Sequence, residues 1–224
     1  MAKKNTRDDF ELVEGALSKS EQFIEDNSKM LTIVVGVIII IAGIYLAYTK
    51  LYIAPKQAEA LEDMFQAELY FEQDSFRLAL EGDGNNFGFL DIIDNFGMSK
   101  PGNLAEYYAG VCYLQLGQFD EAITHLGNFS SDDRIIQPMA FGATGDAYAE
   151  LGDNSQALSF YMKAGNLEND FSSPYFLMKA GLLYETEGQY KEALAAYETI
   201  KNDYASSDEG RNIDKYIQRA KMNL

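Results

Sequence analysis

Few side chains in this 224-residue sequence are of a type and spacing that could do chemistry. Asp91 and Asp94 stand three apart in FGFLDIIDNFG (87–97), a stretch whose apolar spacing predicts a helix. Two carboxylates at that spacing share a helical face, the smallest arrangement that could serve as a general acid–base pair. Catalysis would also require converging polar groups, yet no nucleophile, metal cluster or phosphate-binding loop accompanies the pair. Surface charges on a solvated helix are the plainer reading. His125 is the one histidine and Cys112 the one cysteine. One of each cannot build a common zinc ligand set, and neither an EF-hand nor an HExxH pattern occurs. Cys112 reads as a core thiol and His125 as a surface or packing residue. A single cysteine also excludes an intramolecular disulfide. We therefore expect no enzyme, no metal and no cofactor.

With so little chemistry, the elements that hold these residues carry the information. Seven residues recur: GQFDEAI at 117–123, GQYKEAL at 188–194 and, more loosely, GDNSQAL at 152–158. Around them Gly110, Gly145 and Gly181 are each followed three residues on by Tyr113, Tyr148 and Tyr184. The turn glycines Gly117, Gly152 and Gly188 come next, then Ala122, Ala157 and Ala193, then Leu126, Tyr161 and Tyr197. Each place has a physical reason. The first glycine lets two helix backbones approach, and the second takes a turn conformation that a Cβ would penalise. Alanine keeps the second helix close, and the bulky residue fills the gap it leaves. Phe119 and Tyr190 anchor their turns; Asn154 replaces that aromatic in the middle copy, where weaker packing is expected.

The register, near 34 residues long, resembles the tetratricopeptide repeat, although the chain has no tryptophan. Residues 59–82 look like a degenerate further unit with Tyr70, Phe76 and Ala79 in matching places, followed by breaks at GDGNN (82–86) and Lys100-Pro101-Gly102. Ile213, Tyr216, Ile217, Ala220 and Leu224 form a stripe at i, i+3, i+4 and i+7, read as a helix that covers the last repeat.

Nearer the start, MLTIVVGVIIIIAGIYLAY (30–48) holds no charge and lies between Lys29 and Lys50. At 1.5 Å per residue such a helix is about 29 Å long, close to the ~30 Å hydrocarbon core of a bilayer. The run is too long for a typical signal-peptide core and no A-x-A-like site follows it closely, so an uncleaved anchor is expected. Tyr45, Tyr48 and Tyr52 gather at its far end, where aromatic rings favour the interface. Lys3, Lys4, Arg7, Lys19 and Lys29 precede the span, whereas Lys50 and Lys56 are the cations just beyond it. Counting positives places the N-terminus in the cytoplasm and the larger part outside it. Gly36, Gly43 and Ala47 fall on one face and would let another membrane helix approach, although glycine is common in such helices anyway. Phe10, Val13, Leu17 and Ile24 suggest a short amphipathic helix before the span. The net charge of −17 opposes nucleic acid and discourages lying flat on anionic lipid.

The expected fold is all-α: a single N-terminal transmembrane helix, then a tetratricopeptide-repeat α-solenoid with a C-terminal capping helix. The expected divisions are a tail (1–29), the span (30–49), a linker (50–58), the N-terminal pseudo-repeat (59–102), three repeats (103–208) and the cap (209–224). The repeat resemblance implies which first-helix positions face a concave groove. In the first repeat these are Leu104, Tyr107, Val111 and Leu114. In the second they are Met139, Gly142, Asp146 and Ala149, and in the third Tyr175, Met178, Leu182 and Glu185. That lining is rich in Met, Tyr and Leu and poor in cations, unlike a basic clamp for acidic tails. It suits varied hydrophobic segments, such as unfolded chains or an amphipathic helix. The chain's own cap or pseudo-repeat is the alternative occupant.

The layout narrows the reading. The tail ends in FIEDNSKML, the span carries VVG near its start and a Tyr-rich exit, and a small repeat domain follows. This order resembles the YfgM-like family of ancillary, periplasm-facing Sec translocon subunits. QAELYFEQDSF, ALEGDGNNFGFLDI and GNLAEYYAGVCYL are similar to the version of that family found in the Bacteroidota. The resemblance implies a bacterial inner-membrane protein associated with SecYEG and with a PpiD-type periplasmic chaperone, handing secreted chains onward. A generic envelope scaffold, in cell division or outer-membrane assembly and without a link to Sec, is the alternative.

Overall fold

The computed structural model describes residues 23–224, and among these no strand occurs. The expected amphipathic positions Phe10, Val13 and Leu17, and the cations Lys3, Lys4, Arg7 and Lys19, lie outside the described residues. The described residues divide into two units, the first ending at Pro55 and the second running from Lys56 to Leu224.

In the first unit, helix α1 (Ser28–Tyr48) is followed by a π-helical stretch, Thr49–Ile53. Every apolar side chain of α1 from Ile33 onward is solvent-facing except at Gly36, and no residue of the helix is buried. It is long and apolar enough to cross a bilayer. The Tyr48 and Tyr52 rings stack with centroids 5.4 Å apart at the helix end.

From Ala54 onward helices follow one another in sequence. They are α2 (Ala54–Glu72), α3 (Phe76–Glu81), α4 (Phe89–Phe96), α5 (Lys100–Gln115), α6 (Phe119–Asn128), α7 (Ile136–Glu150), α8 (Asn154–Gly165), α9 (Ser173–Thr186), α10 (Tyr190–Asp203) and α11 (Ile213–Met222). Residues 50–58 are thus helical throughout. The Lys100-Pro101-Gly102 triplet does not interrupt a helix but starts one. Proline in a first turn loses no intrahelical bond, and the Ser99 hydroxyl caps α5 by accepting from the Gly102 N–H at 3.1 Å.

The pairs α5–α6, α7–α8 and α9–α10 are antiparallel hairpins joined by one repeated turn. Gly117, Gly152 and Gly188 have φ of 75°, 78° and 71°, the left-handed region in which a Cβ is costly. The next N–H in each case, from Gln118, Asp153 or Gln189, donates to the carbonyl of Tyr113, Tyr148 or Tyr184 at 2.8–2.9 Å. The glycine N–H donates to the carbonyl of Leu114, Ala149 or Glu185 at 3.0–3.1 Å. This pair of bonds is a Schellman closure, which satisfies the last carbonyls of the first helix and reverses the chain at once. The repeated seven residues are that closure and the start of the second helix. At the middle turn, Asn154 forms a polar tie in place of an aromatic contact: its Nδ2 donates to Glu187 Oε1 at 2.7 Å, one repeat onward.

Within each hairpin the first glycine meets the bulky residue of the second helix. A Cβ built on Gly110, Gly145 or Gly181 would fall 2.5 Å from Leu126, 2.7 Å from Tyr161 or 2.3 Å from Tyr197. Ala122, Ala157 and Ala193 are fully buried beside them. At the front of the array, α2–α5 enclose an aromatic cluster in which Phe71 meets Phe76, Phe89 and Tyr108 edge-on. At the back, Ile213, Ile217 and Ala220 of α11 bury against Ala193, Tyr197 and Ile200. The cap therefore packs as the first helix of a further repeat would.

Candidate functional site

The first helices α5, α7 and α9 carry all twelve expected groove positions, but the structure brings only six of them into clefts, and these are divided among three. Leu114, Asp146 and Ala149 come together with Phe119, Tyr161 and Lys179 around a cleft of about 570 Å³. Leu182 and Glu185 line a second, of about 410 Å³, with Tyr190 and Arg219. Leu104 borders a third, of about 640 Å³, between the first and second hairpins, with Phe129, Asp133 and Ile136. Tyr107 is half-buried between Tyr108 and Phe129, with ring centroids 5.6 and 5.5 Å away. Val111, Met139 and Met178 are half-buried, and Tyr175 is exposed. Gly142 offers no surface. A Cβ there would lie 1.9 Å from Phe176 Cε1, so the ring of the next repeat occupies the place a side chain would take.

The polar centre of the first of these clefts is Asp146. Its Oδ1 accepts from the Tyr161 hydroxyl at 2.6 Å and from Lys179 Nζ at 2.5 Å. The ammonium also lies 5.1 Å from the Tyr161 ring centroid and 5.5 Å from that of Tyr175. Two repeats are thereby linked through one carboxylate oxygen, and the cation is held over aromatic faces, an arrangement favoured by the ring quadrupole. Burial, aided by the carboxylate it donates to, pushes the Tyr161 hydroxyl well above the ordinary phenol range, so it remains a donor. In the next cleft Arg219 of α11 makes a two-pronged contact with Glu185, its Nε donating to Oε1 at 3.1 Å. The cap thus reaches the groove at that residue.

Phe119, Tyr161, Lys179 and Arg219 lie outside the sequence-derived groove. Tyr161 was legible only as a filler between helices. Lys179 stands 33 residues after Asp146, about one helical turn before Leu182, which holds the place of Asp146 in the next repeat, so that stacking of neighbouring first helices brings the two side by side.

The chemically suggestive residues do not converge. Asp91 is a helix cap, its Oδ2 accepting from the Gly88 N–H at 3.1 Å, and Asp94 is exposed. His125 Nδ1 lies 2.6 Å from Glu106 Oε2, and its ring stacks on Tyr113 with centroids 5.1 Å apart, tying α6 to α5. Cys112 is fully buried, and burial pushes its thiol up to about 12. Among the described residues no three His, Cys, Asp or Glu gather as metal ligands would. In the first unit, a Cβ on Gly36 or Gly43 would meet nothing within 4 Å, and Ala47 is exposed, so these three small residues are unpacked, with Ile40 standing between the two glycines on the same face.

Comparison with known proteins agrees with this geometry. Residues 104–132 and 175–207 match a family described as tetratricopeptide repeat, and residues 141–171 match a second family of the same description. Superkiller complex protein 3 of Mus musculus is 30% identical over 137 residues, 59% of this chain and 8% of its own length. The Homo sapiens protein of that name is 32% identical over 105 residues, 45% of this chain and 6% of its own length. The chain therefore spans less than a tenth of these relatives. Among solved structures, nearly identical TPR-like repeats from a Podosopora anserina kinesin light chain superpose with a TM-score of 0.54 at 13% identity, covering 75% of this chain and 87% of that one. A single-substitution variant of that protein gives the same values. At this identity the likeness is one of fold.

Proposed function

We propose that this chain of tetratricopeptide repeats is a membrane-tethered adaptor that holds a segment of a partner protein along the concave side of its first helices. The observation that carries this reading is the cleft around Asp146. There, first-helix residues of two repeats and Lys179 of the third line an open cleft whose walls mix apolar side chains with Gln115 and Glu150 around Asp146. Such a surface offers contact area and no reactive group, which is what partner binding by a repeat array uses.

We further propose that the partners are the SecYEG translocon and a PpiD-type periplasmic chaperone, with secreted chains as clients. In this reading α1 is an inner-membrane span, the N-terminus is cytoplasmic and the repeats lie in the periplasm. Support comes from the layout of tail, span and repeats, from the excess of cations before the span, and from the unpacked small residues of α1 as a site for a neighbouring membrane helix. The domain divisions given above are part of this proposal.

Photo-cross-linking in intact membranes tests it. Cross-linking amino acids at Leu114, Ala149 and Tyr175 are expected to capture Sec subunits, the chaperone or emerging chains. Replacing Gly36 and Gly43 with Leu is expected to weaken recovery of Sec subunits in mild detergent. Capture of the chain's own α11 alone, with no foreign protein, would exclude the groove as a client site.

A further inference from the structure

The two long edges of the repeat array differ. One edge holds the turns within hairpins; there Leu116, Leu151 and Glu187 precede the three turn glycines, and no apolar residue keeps that place throughout. The other holds the junctions between successive units, each leading into a buried proline in the first turn of α5, α7 or α9. Three residues before each proline stands a large apolar side chain: Met98 before Pro101, Ile135 before Pro138 and Phe171 before Pro174. All three face solvent, with 88%, 54% and 71% of their surfaces exposed. A residue that merely fills core would be covered, and a scattered exposed apolar residue would not keep the repeat's register.

The second and third junctions are built, not slack. Asp133 Oδ1 accepts from the Ile135 and Ile136 N–H groups at 2.7 and 3.0 Å. Asn169, itself buried, accepts from the Phe171 N–H at 2.8 Å and donates to the Arg134 carbonyl, while Arg134 donates to the Glu168 carbonyl at 3.0 Å. These bonds join the two connections and hold Ile135 and Phe171 on adjoining segments. Exposed carboxylates outnumber exposed cations there: Asp132 and Asp133 near Ile135 and Glu168 and Asp170 near Phe171, against Arg134, which donates to the Glu168 carbonyl, and Lys100 near Met98.

We propose that this junction edge is a second docking surface, separate from the concave groove, and that its occupant is a basic amphipathic segment of a partner protein. Apolar side chains of that segment cover Met98, Ile135 and Phe171, and its Lys or Arg side chains meet the flanking carboxylates. Charge complementarity selects this occupant, because the same carboxylates repel an anionic lipid surface and an acidic peptide. The fixed backbone lowers the ordering cost of binding, as preorganisation does generally.

The test uses the full chain in neutral-lipid nanodiscs and a fluorescein-labelled helical peptide of Leu and Lys, read by anisotropy at low salt. Binding above that of empty nanodiscs is expected, along with loss at 0.5 M NaCl and none for the matching Leu–Glu peptide. The M98S/I135S/F171S variant is expected to bind at least tenfold more weakly with an unchanged thermal midpoint. D132N/D170N is expected to lose several-fold, and A149R, which blocks the groove, to bind as the parent does. The proposal is overturned if the parent binds no better than empty nanodiscs or if the triple variant binds like the parent. It is also overturned if A149R abolishes binding, which would assign the peptide to the groove, or if the edge responds only to anionic lipid.

Discussion

Gly181 and Tyr197 occupy one space: a Cβ on the glycine would lie 2.3 Å from Cε1 of the ring, and the ring is fully buried because the glycine has none. Gly145 with Tyr161 and Gly110 with Leu126 repeat the relationship at 2.7 and 2.5 Å. The adaptor reading depends on these contacts, since they set how closely each hairpin closes and hence where its first helix faces.

Gly181→Ala is therefore expected to destabilise the fold by about 1–3 kcal/mol through overpacking, even though alanine is the better helix former by about 1 kcal/mol. Gly188→Ala costs about 1 kcal/mol for a different reason, since its Cβ would meet nothing and only the positive φ resists it. Urea denaturation of both variants separates the two effects. Equal, negligible losses would refute the close-approach account.

Tyr161 and Tyr197 hold matching repeat positions but differ in satisfaction. The Tyr161 hydroxyl has Asp146, whereas the buried Tyr197 hydroxyl makes no hydrogen bond of normal length among the described residues and has the Arg219 guanidinium nearby, the register of Asp146 being taken by Leu182. Tyr161→Phe, which removes a hydrogen bond to a carboxylate, should lose about 1.5–3 kcal/mol, and Tyr197→Phe should be close to neutral. A double-mutant cycle of Tyr161→Phe with Asp146→Asn should show coupling of about 0.5–3 kcal/mol. Similar losses for both Tyr→Phe variants would contradict this assignment.

Alkali should unfold the repeats. Burial, reinforced by the Glu185 carboxylate and partly offset by Arg219, pushes Tyr197 from 10.0 up to about 12. Cys112 is raised from 9.0 to about 12 by burial. In both cases the unfolded chain releases its proton first. The stabilisation by the neutral groups is intact below pH 9, declines as the unfolded groups ionise, and is lost as pH rises to about 12. Midpoints of thermal unfolding measured across that range should fall, and the fall should be shallower for Tyr197→Phe. At neutral pH, Cys112 should react with a thiol reagent only at the rate of unfolding; immediate labelling would show that the thiol is accessible.

Ile217→Ala on α11 should cost about 2–5 kcal/mol, as expected for removing a buried aliphatic side chain. Arg219→Ala should cost more than loss of a solvated ion pair would, because the Glu185 side chain it contacts is only 11% exposed and would be left without that partner. Both can be read by denaturant titration. A cap that merely lies against the array would show little loss for either.

Local signals in the sequence were sufficient for much of this molecule. Glycine at φ near +75°, tyrosine carbonyls as turn acceptors and alanine at close contacts each act within one hairpin, so their spacing disclosed the hairpins and the all-α class; the apolar period disclosed the capping stripe except at Leu224, which lies beyond the helix and is 69% exposed. The uncharged run of α1 was legible for a similar reason, because hydrocarbon thickness is matched by a count of residues. What lies between hairpins was decided only by tertiary structure. Whether Gly142 opens into a groove depends on where Phe176 of the next repeat falls, and it falls on the glycine. Asp146 became the centre of a cleft because Lys179, 33 residues on, is brought alongside it by stacking, and Tyr161 is aimed at it from the second helix. The exposed row of Met98, Ile135 and Phe171 was present in the spelling, three residues before each proline, but apolar letters do not disclose exposure. That depends on which surfaces the superhelix covers, a property of inter-repeat packing that no single repeat contains.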